Sequence, residues 1–173
     1  VVKQFEGSGL PNLVKQLIVQ NADTLQLTKN LEIQDTVKID NGILSLYNSE
    51  LDQWFTVNGV NTDTTSRALV MEGNSELIVV EFPEKFKAAN FTSGTVNFAG
   101  EGAYSSTIPS SDAAALGQAI VDQYYNLKIS GDRGSNQNIT FDNAGEIRVS
   151  NELDLDELIF DPIPNADRFV VSG

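Results

Sequence analysis

Apolar and polar residues alternate with a period of two through many short segments, and this alternation limits the fold more than any other feature. Residues 24–28 run polar, apolar, polar, apolar, polar, and Leu31, Ile33, Val37 and Ile39 continue the pattern. A period of two places successive side chains on opposite faces of a strand, so each segment indicates a short, half-buried β-strand. Further strands are predicted at 43–46, 76–82, 94–98, 125–129, 138–141, 146–149, 152–159 and 168–171.

Turn-forming residues separate these segments. The 173 residues include 16 Asn and 13 Gly. Both residue types tolerate the left-handed backbone of tight turns. The sequence therefore predicts an all-β chain that changes direction often.

One segment, at approximately 110–124, departs from the alternation. Two serines and Asp112 are candidate N-caps, and apolar residues follow at 116, 120 and 124, the spacing of one helix face. The sequence predicts a single short α-helix here, inserted into the β-structure.

The chain also matches itself. A shift of 114 residues aligns the Phe-x-Val-x-Gly pattern at 55–59 with that at 169–173, and a shift of 93 aligns Phe-x-Gly-x-Gly at 5–9 with that at 98–102. The longer shift contains an insertion that holds the predicted helix. We interpret residues 1–173 as one domain with repeat units at approximately 1–93 and 94–173, the second incomplete.

Two all-β architectures fit these patterns. Short strands in series, polar corners and a repeat too long for one hairpin favour a right-handed parallel β-helix, or β-solenoid, with about 20–25 residues per coil. The alternative is an antiparallel β-sandwich, which also has short strands at regular spacing. The Phe-x-Val-x-Gly segments lack a matched return strand, which favours the β-helix.

Composition excludes several kinds of function. A net charge of −13 disfavours nucleic acid and anionic lipid surfaces as partners, because both repel an acidic protein. The absence of Cys and His removes disulfides, thiolate metal sites and the Ser-His-Asp triad. No apolar run approaches the roughly 18 residues of a membrane span. Because the sequence begins with Val1 rather than Met, we expect a segment of a longer protein.

Two motifs resemble those of a known group of repeats. The sequence Gly-Thr-Val-Asn-Phe-Ala-Gly-Glu-Gly at 94–102 leads to Tyr-Tyr-Asn-Leu-Lys-Ile-Ser-Gly at 124–131, and further strand blocks lie at 31–46, 54–59 and 168–173. These blocks resemble the repeats of large cell-surface and secreted adhesin-like proteins of Bacteroidetes. The resemblance covers most of the chain except residues 60–93. It implies a right-handed parallel β-helix in an exported protein, of the kind that uses type IX secretion and includes gliding-motility adhesins.

Acidic residues near the C-terminus are candidate calcium ligands. Asp154, Asp156 and Asp161 supply the oxygen ligands that Ca²⁺ prefers, although no complete calcium-loop motif is present. A solvated acidic face is the alternative interpretation, and it is favoured. No other cofactor is expected. Asp40-Asn41-Gly42 is a second calcium candidate, for which a simple turn is the favoured interpretation.

Four aromatic residues are candidates for binding carbohydrate. Trp54, Tyr104, Tyr124 and Tyr125 are able to stack on sugar rings. Alternation directs Phe55 inward and Trp54 outward. Packing against the protein is the alternative role for these rings.

The sequence as a whole favours a non-catalytic structural or adhesive segment of an extracellular bacterial surface protein. Its expected partners are neighbouring repeats of the same polypeptide and surface polysaccharide, host or substratum. A carbohydrate-binding module is the alternative. A polysaccharide-degrading β-helix enzyme is less favoured, because nothing in the sequence sets two carboxylates at catalytic spacing.

Overall fold

The protein is all-β in the residues described by the computed structural model, which are 2–5, 11–20, 23–60, 66–100, 104–111, 119–131, 139–141, 145–155 and 169–171. The prediction of an all-β chain is confirmed. The strands are β1 (Val2–Phe5), β2 (Leu13–Gln20), β3 (Thr24–Leu27), β4 (Leu31–Asp40), β5 (Ile43–Ser45), β6 (Tyr47–Asn48), β7 (Gln53–Trp54), β8 (Val57–Gly59), β9 (Ala68–Glu72), β10 (Glu76–Val79), β11 (Ala89–Asn90), β12 (Thr95–Ala99), β13 (Ser106–Ile108), β14 (Val121–Ser130), β15 (Ile139–Phe141), β16 (Ile147–Leu155) and β17 (Phe169–Val171).

One long parallel sheet organises these strands. In the main sheet the order is β1-β3-β5-β10-β12-β14-β16-β17, and each strand runs parallel to its neighbours. The length of chain between successive passes varies. The number of residues from Glu76 to its partner Thr95 is close to the predicted coil length. The number from Ile43 to its partner Glu76 exceeds it.

The chain leaves the main sheet to form a second parallel sheet. Strands β2, β4 and β8 pair in this order, and β9 pairs with the other end of β4. The chain alternates between the sheets, because β2 follows β1 and β4 follows β3. The antiparallel sandwich is therefore wrong for the described residues, in which only the short β6–β7 hairpin is antiparallel.

Rows of apolar side chains fill the space behind the main sheet. The parallel register places one inward residue of each strand on the inward residue of the next. The first row contains Leu25, Leu44, Leu77, Val96, Leu127 and Leu153. Its four central members are almost completely buried. A second row continues from Val79 through Phe98 to Ile129. These rows are the physical origin of the period-two pattern.

The second sheet contributes its own rows to the same core. Val37 pairs with Leu17 on one side and Leu69 on the other, and all three side chains are buried. Ile39 likewise pairs with Val19 and Met71. The inward faces of both sheets belong to one continuous apolar cluster. A slip of one residue in any strand would turn its row toward solvent.

Polar corners connect the second sheet to the main sheet. Asn41 has a φ of 52° and Gly73 a φ of 61°, so both corners use left-handed backbone. The Asn41 side-chain oxygen accepts a hydrogen bond from the Asn74 amide at 3.2 Å, which ties one corner to the next. A side chain at position 73 would displace this Asn41 amide, and the positive φ also favours glycine there. The interpretation of Asp40-Asn41-Gly42 as a turn agrees with this geometry.

The prediction of a helix at 110–124 is wrong at its C-terminal end. Residues 121–124 belong to β14, where Val121 pairs with Ala89 and Tyr124 with Val149. Residues 112–118 lie outside the described residues. β-Branched Ile120 and Val121 and two tyrosines favour strand at this end, and pairing on both sides outweighs the helical spacing.

Other sequence-based expectations have mixed outcomes. The strands predicted at 146–149 and 152–159 are joined into β16 as far as Leu155. Alternation does not predict strands β9 and β11, which lie in the part of the chain that the sequence motifs do not cover. The division into repeat units stays a prediction. Within the described part of the chain, no helix is long and apolar enough to cross a membrane.

The inward rows predict that truncating a buried apolar side chain lowers the free energy of unfolding much more than truncating an exposed one. Leu127→Ala removes a fully buried side chain from the centre of the first row and should lower the free energy of unfolding by about 2–5 kcal/mol. Ile18→Ala, at a β2 position that is 53% exposed, is the control and should cost less than about 1 kcal/mol. Chemical denaturation measures both changes. Equal losses in the two variants would contradict the assigned register.

Candidate functional site

A short hairpin projects from the third pass of the chain through the main sheet. It consists of β6 and β7, in which Tyr47 pairs with Trp54. Asn48, the last residue of β6 before the turn, is completely buried. The Asn48 amide nitrogen donates to the Leu27 carbonyl at 2.9 Å, and its oxygen accepts from the amides of Glu50 and Leu51 at 3.1 Å each. One side chain thus attaches the turn to the neighbouring strand and shapes the turn itself.

Three aromatic side chains meet at this hairpin, and we refer to Tyr47, Trp54 and Tyr104 as the aromatic cluster. The Tyr47 and Trp54 ring centroids are 5.0 Å apart with planes tilted by 43°. The Tyr104 ring meets Trp54 edge-on at 6.4 Å. Tyr104 is 44% exposed, whereas Tyr47 and Trp54 are half-buried. The cluster therefore presents a partly exposed aromatic surface on a rigid base.

A carboxylate lies at the edge of the aromatic cluster. The Tyr47 hydroxyl donates to Asp52 Oδ1 at 2.6 Å. Asp52 is exposed and has a φ of 49°, a left-handed conformation that Asp and Asn tolerate better than most residues. Ring faces beside a hydroxyl and a carboxylate combine an apolar contact surface with hydrogen-bonding groups.

The structure brings together two of the four predicted aromatic residues. Trp54 and Tyr104 are far apart in sequence but are in contact. Sequence reasoning missed Tyr47 and Asp52. The pairing of Tyr47 with Trp54 depends on the hairpin, and the available signal was a polar run with Asn48 and Asp52 between two aromatic residues.

The other two predicted aromatic residues have different surroundings. Tyr124 has no exposed surface, and its hydroxyl donates to the Pro109 carbonyl at 2.9 Å. The prediction of Tyr124 as an exposed carbohydrate-binding residue is therefore wrong, because its position in β14 faces the core. Tyr125 also lies in β14 and is half-buried against the same core.

The calcium candidates are only partly described. Asp154 Oδ2 lies 2.8 Å from Lys128 Nζ, and the two residues are directly opposite in the parallel register. Asp156 and Asp161 lie outside the described residues. Among the residues that the structure places, no group of three Asp or Glu side chains is arranged to hold a metal ion. Lys128 already pairs with Asp154, the one described member of the C-terminal group of candidates.

A second charged group lies on the outer face of the second sheet. Lys38 Nζ is 2.8 Å from Glu72 Oε2 and 3.7 Å from Asp40 Oδ2. The hydrogen bond to Glu72, with the charges of both carboxylates, raises the pKa of Lys38 above its usual value. The lysine therefore stays charged and links β4 to β9 electrostatically.

A small concavity lies at the segment that follows the hairpin. It has a volume of about 100 Å³ and is lined by Thr56, Asn58, Phe82, Glu84 and their neighbours. Ligand pockets are usually several times larger, at about 300–1,000 Å³. This concavity is too small to enclose a sugar ring, so the aromatic cluster is the better candidate site.

Comparison of the chain with protein-family models, with curated proteins and with solved structures found no match.

Proposed function

We propose that the chain is a right-handed parallel β-solenoid that serves as a non-catalytic stalk or presentation segment of an extracellular bacterial surface protein. The observation that carries this proposal is the unbroken parallel ladder of the main sheet, with one inward apolar row running from Leu25 to Leu153. A ladder of this kind grows along one axis, because each pass adds a strand at about 4.8 Å from the last.

The alternation of the chain between two parallel sheets supports a coil. A chain that visits the main sheet, then the second sheet, then the main sheet again in the same direction completes one turn of a solenoid at each return. Connections between parallel strands of one sheet are right-handed in nearly all proteins. The same handedness is proposed here.

Side chains on the outer face of the main sheet form polar ladders that would stiffen such a coil. Asn151 donates to Asn126 at 2.7 Å, and Asn126 donates to Thr95 at 3.2 Å. A second ladder has Asn97 between its two partners: its amide donates to Glu76 at 3.1 Å, and its oxygen accepts from Ser130 at 2.8 Å. Each ladder crosses three successive strands. Hydrogen bonds between adjacent coils resist bending as well as separation.

The charge of the chain suits a structural role at a surface. Its formal charge of −13 favours solubility and opposes association between chains. The strands at each end of a parallel ladder present unpaired backbone groups, and neighbouring repeats of the same polypeptide would cover them. Neither a stalk nor a presentation segment requires a catalytic group.

The extracellular setting is a proposal based on the sequence motifs. Motifs at 94–102 and 124–131 resemble those of Bacteroidetes surface adhesin-like repeats. The proposed parent protein belongs to that group, as cargo of type IX secretion with adhesion or gliding motility as its role. The absence of Cys and His is compatible with this setting but does not select it.

The register between neighbouring coils allows a direct test of the proposed architecture. Thr95 occupies in β12 the position that Glu76 occupies in β10, one coil earlier. Deleting residues 76–94 should remove one coil and leave Val96 stacked on Leu44, because a solenoid coil contacts only its neighbours. The shortened protein should keep a β-type circular dichroism spectrum and a cooperative thermal transition.

The matched control deletes residues 76–85, about half of the same coil. This deletion removes β10 but keeps the rest of the coil, so the following strands would meet the ladder half a turn out of phase and the protein should lose its cooperative transition. If the two deletions unfold the protein equally, the coil-by-coil architecture is contradicted.

Cell labelling tests the proposed location. An antibody raised against the chain should label intact cells of the bacterium that produces the parent protein, and external protease should abolish the signal while leaving a cytoplasmic marker intact. Labelling that requires cell lysis would contradict a surface role.

A further inference from the structure

We propose that the aromatic cluster of Tyr47, Trp54 and Tyr104, together with Asp52, binds a neutral glycan. The exposed face of Tyr104 and the edge of Trp54 would contact the apolar face of a sugar ring. The Tyr47 hydroxyl and the Asp52 carboxylate would bind its hydroxyl groups. This activity is additional to the structural role proposed above and does not depend on it.

The ring geometry favours an open platform over an enclosed cage. A cage for a quaternary ammonium group needs rings set apart around the cation. Here the Tyr47 and Trp54 centroids are 5.0 Å apart, so the rings contact each other and leave no space between them. Tyr104 meets Trp54 at 72°, which gives the surface a bend. A bent, partly exposed surface suits one ring or a short curved oligosaccharide better than a flat crystalline polymer.

The charge around the cluster selects among glycans. Asp52 and Glu50 are both exposed on the turn of the same hairpin. Uronic acids and sulfated sugars would be repelled by these carboxylates and by the overall charge of −13. A neutral sugar loses nothing to this repulsion, and its hydroxyls can donate to the carboxylate in charge-assisted hydrogen bonds.

The hairpin presents these groups in a fixed arrangement. Asn48 is buried and holds both Leu27 and the turn through three hydrogen bonds. The Tyr47 hydroxyl is oriented by Asp52 before any ligand arrives. Preorganised groups lose less conformational freedom on binding, which increases affinity. The outer ring of the cluster, Tyr104, is 44% exposed and is therefore accessible to a ligand.

The fluorescence of Trp54 reports directly on the site, because Trp54 is the sole tryptophan of the chain. Titration with neutral oligosaccharides from β-glucan, mannan and galactan should change its fluorescence in a saturable way for at least one of them. Oligogalacturonate and tetramethylammonium are the probes for an acidic glycan and a cation. Neither should produce a saturable change, and raised salt should leave neutral-glycan binding unaltered.

Variants separate stacking from folding. Tyr104→Ala should weaken binding about tenfold or more, whereas Tyr104→Phe keeps the ring and should stay within about threefold of the wild type. Ile18→Ala, on an exposed position of β2, is the apolar control and should leave binding unchanged. Asp52→Asn tolerates the same left-handed backbone but removes the charge, so it should weaken neutral-glycan binding by about three- to tenfold through loss of the charge-assisted hydrogen bonds.

Thermal unfolding of each variant distinguishes loss of the site from loss of the fold. The proposal is overturned if no neutral glycan alters the Trp54 fluorescence, if Tyr104→Ala binds like the wild type, or if only the acidic or cationic probe binds. These outcomes leave the proposed solenoid untouched, because its test is the pair of coil deletions and needs no ligand.

Discussion

Parallel register is the constraint on which the rest of the structure depends. Each strand of the main sheet has to meet its neighbour so that Leu44 lies on Leu77, Leu77 on Val96 and Val96 on Leu127. Burial of such rows supplies on the order of 25 cal/mol for each Å² of apolar surface removed from water. A shift of one residue would lose this burial across a whole strand, so the apolar rows select a single register.

The same register places the polar groups. The side chains next to an inward row point outward, and their parallel alignment brings like positions of successive strands together. Asn126 reaches its partner Thr95 for this reason, and Lys128 reaches Asp154. Asn151 lies one residue before Glu152, the partner of Asn126, and reaches Asn126 where the register shifts. The outer face is thus a series of short polar contacts between strands, and single exposed ion pairs in it contribute little to stability on their own.

The length of the chain between passes is free to vary once the rows are satisfied. The pass from Ile43 to Glu76 is longer than the pass from Glu76 to Thr95, because it includes the β6–β7 hairpin that holds two rings of the aromatic cluster. The proposed glycan site therefore lies on a connection outside the ladder, and the ladder supports it.

Sequence reasoning recovered the parts of this structure that repeat with a fixed period. Alternation located Leu25, Leu44, Leu127 and their neighbours correctly, because a period of two is a direct consequence of strand geometry. It failed at Tyr124, where helical spacing of apolar residues concealed a strand whose stability comes from pairing with distant segments. The sequence predicted two of the three rings of the aromatic cluster, Trp54 and Tyr104. Trp54 and Tyr104 are distant in sequence, and their contact joins the connection after β5 to the connection after β12, which no local pattern encodes.

The most direct test of the stacked ladder measures distance along its axis. The chain has no cysteine, so pairs of introduced cysteines can carry spin labels at outward positions of the main sheet. Glu76 and Glu152 are three strands apart, at about 14 Å, and Thr24 and Glu152 are five strands apart, at about 24 Å, given a spacing of about 4.8 Å per strand. Electron paramagnetic resonance should report the second distance as longer than the first by about 10 Å. Distances that are equal, or that shorten as strands intervene, would contradict a parallel ladder built one pass at a time.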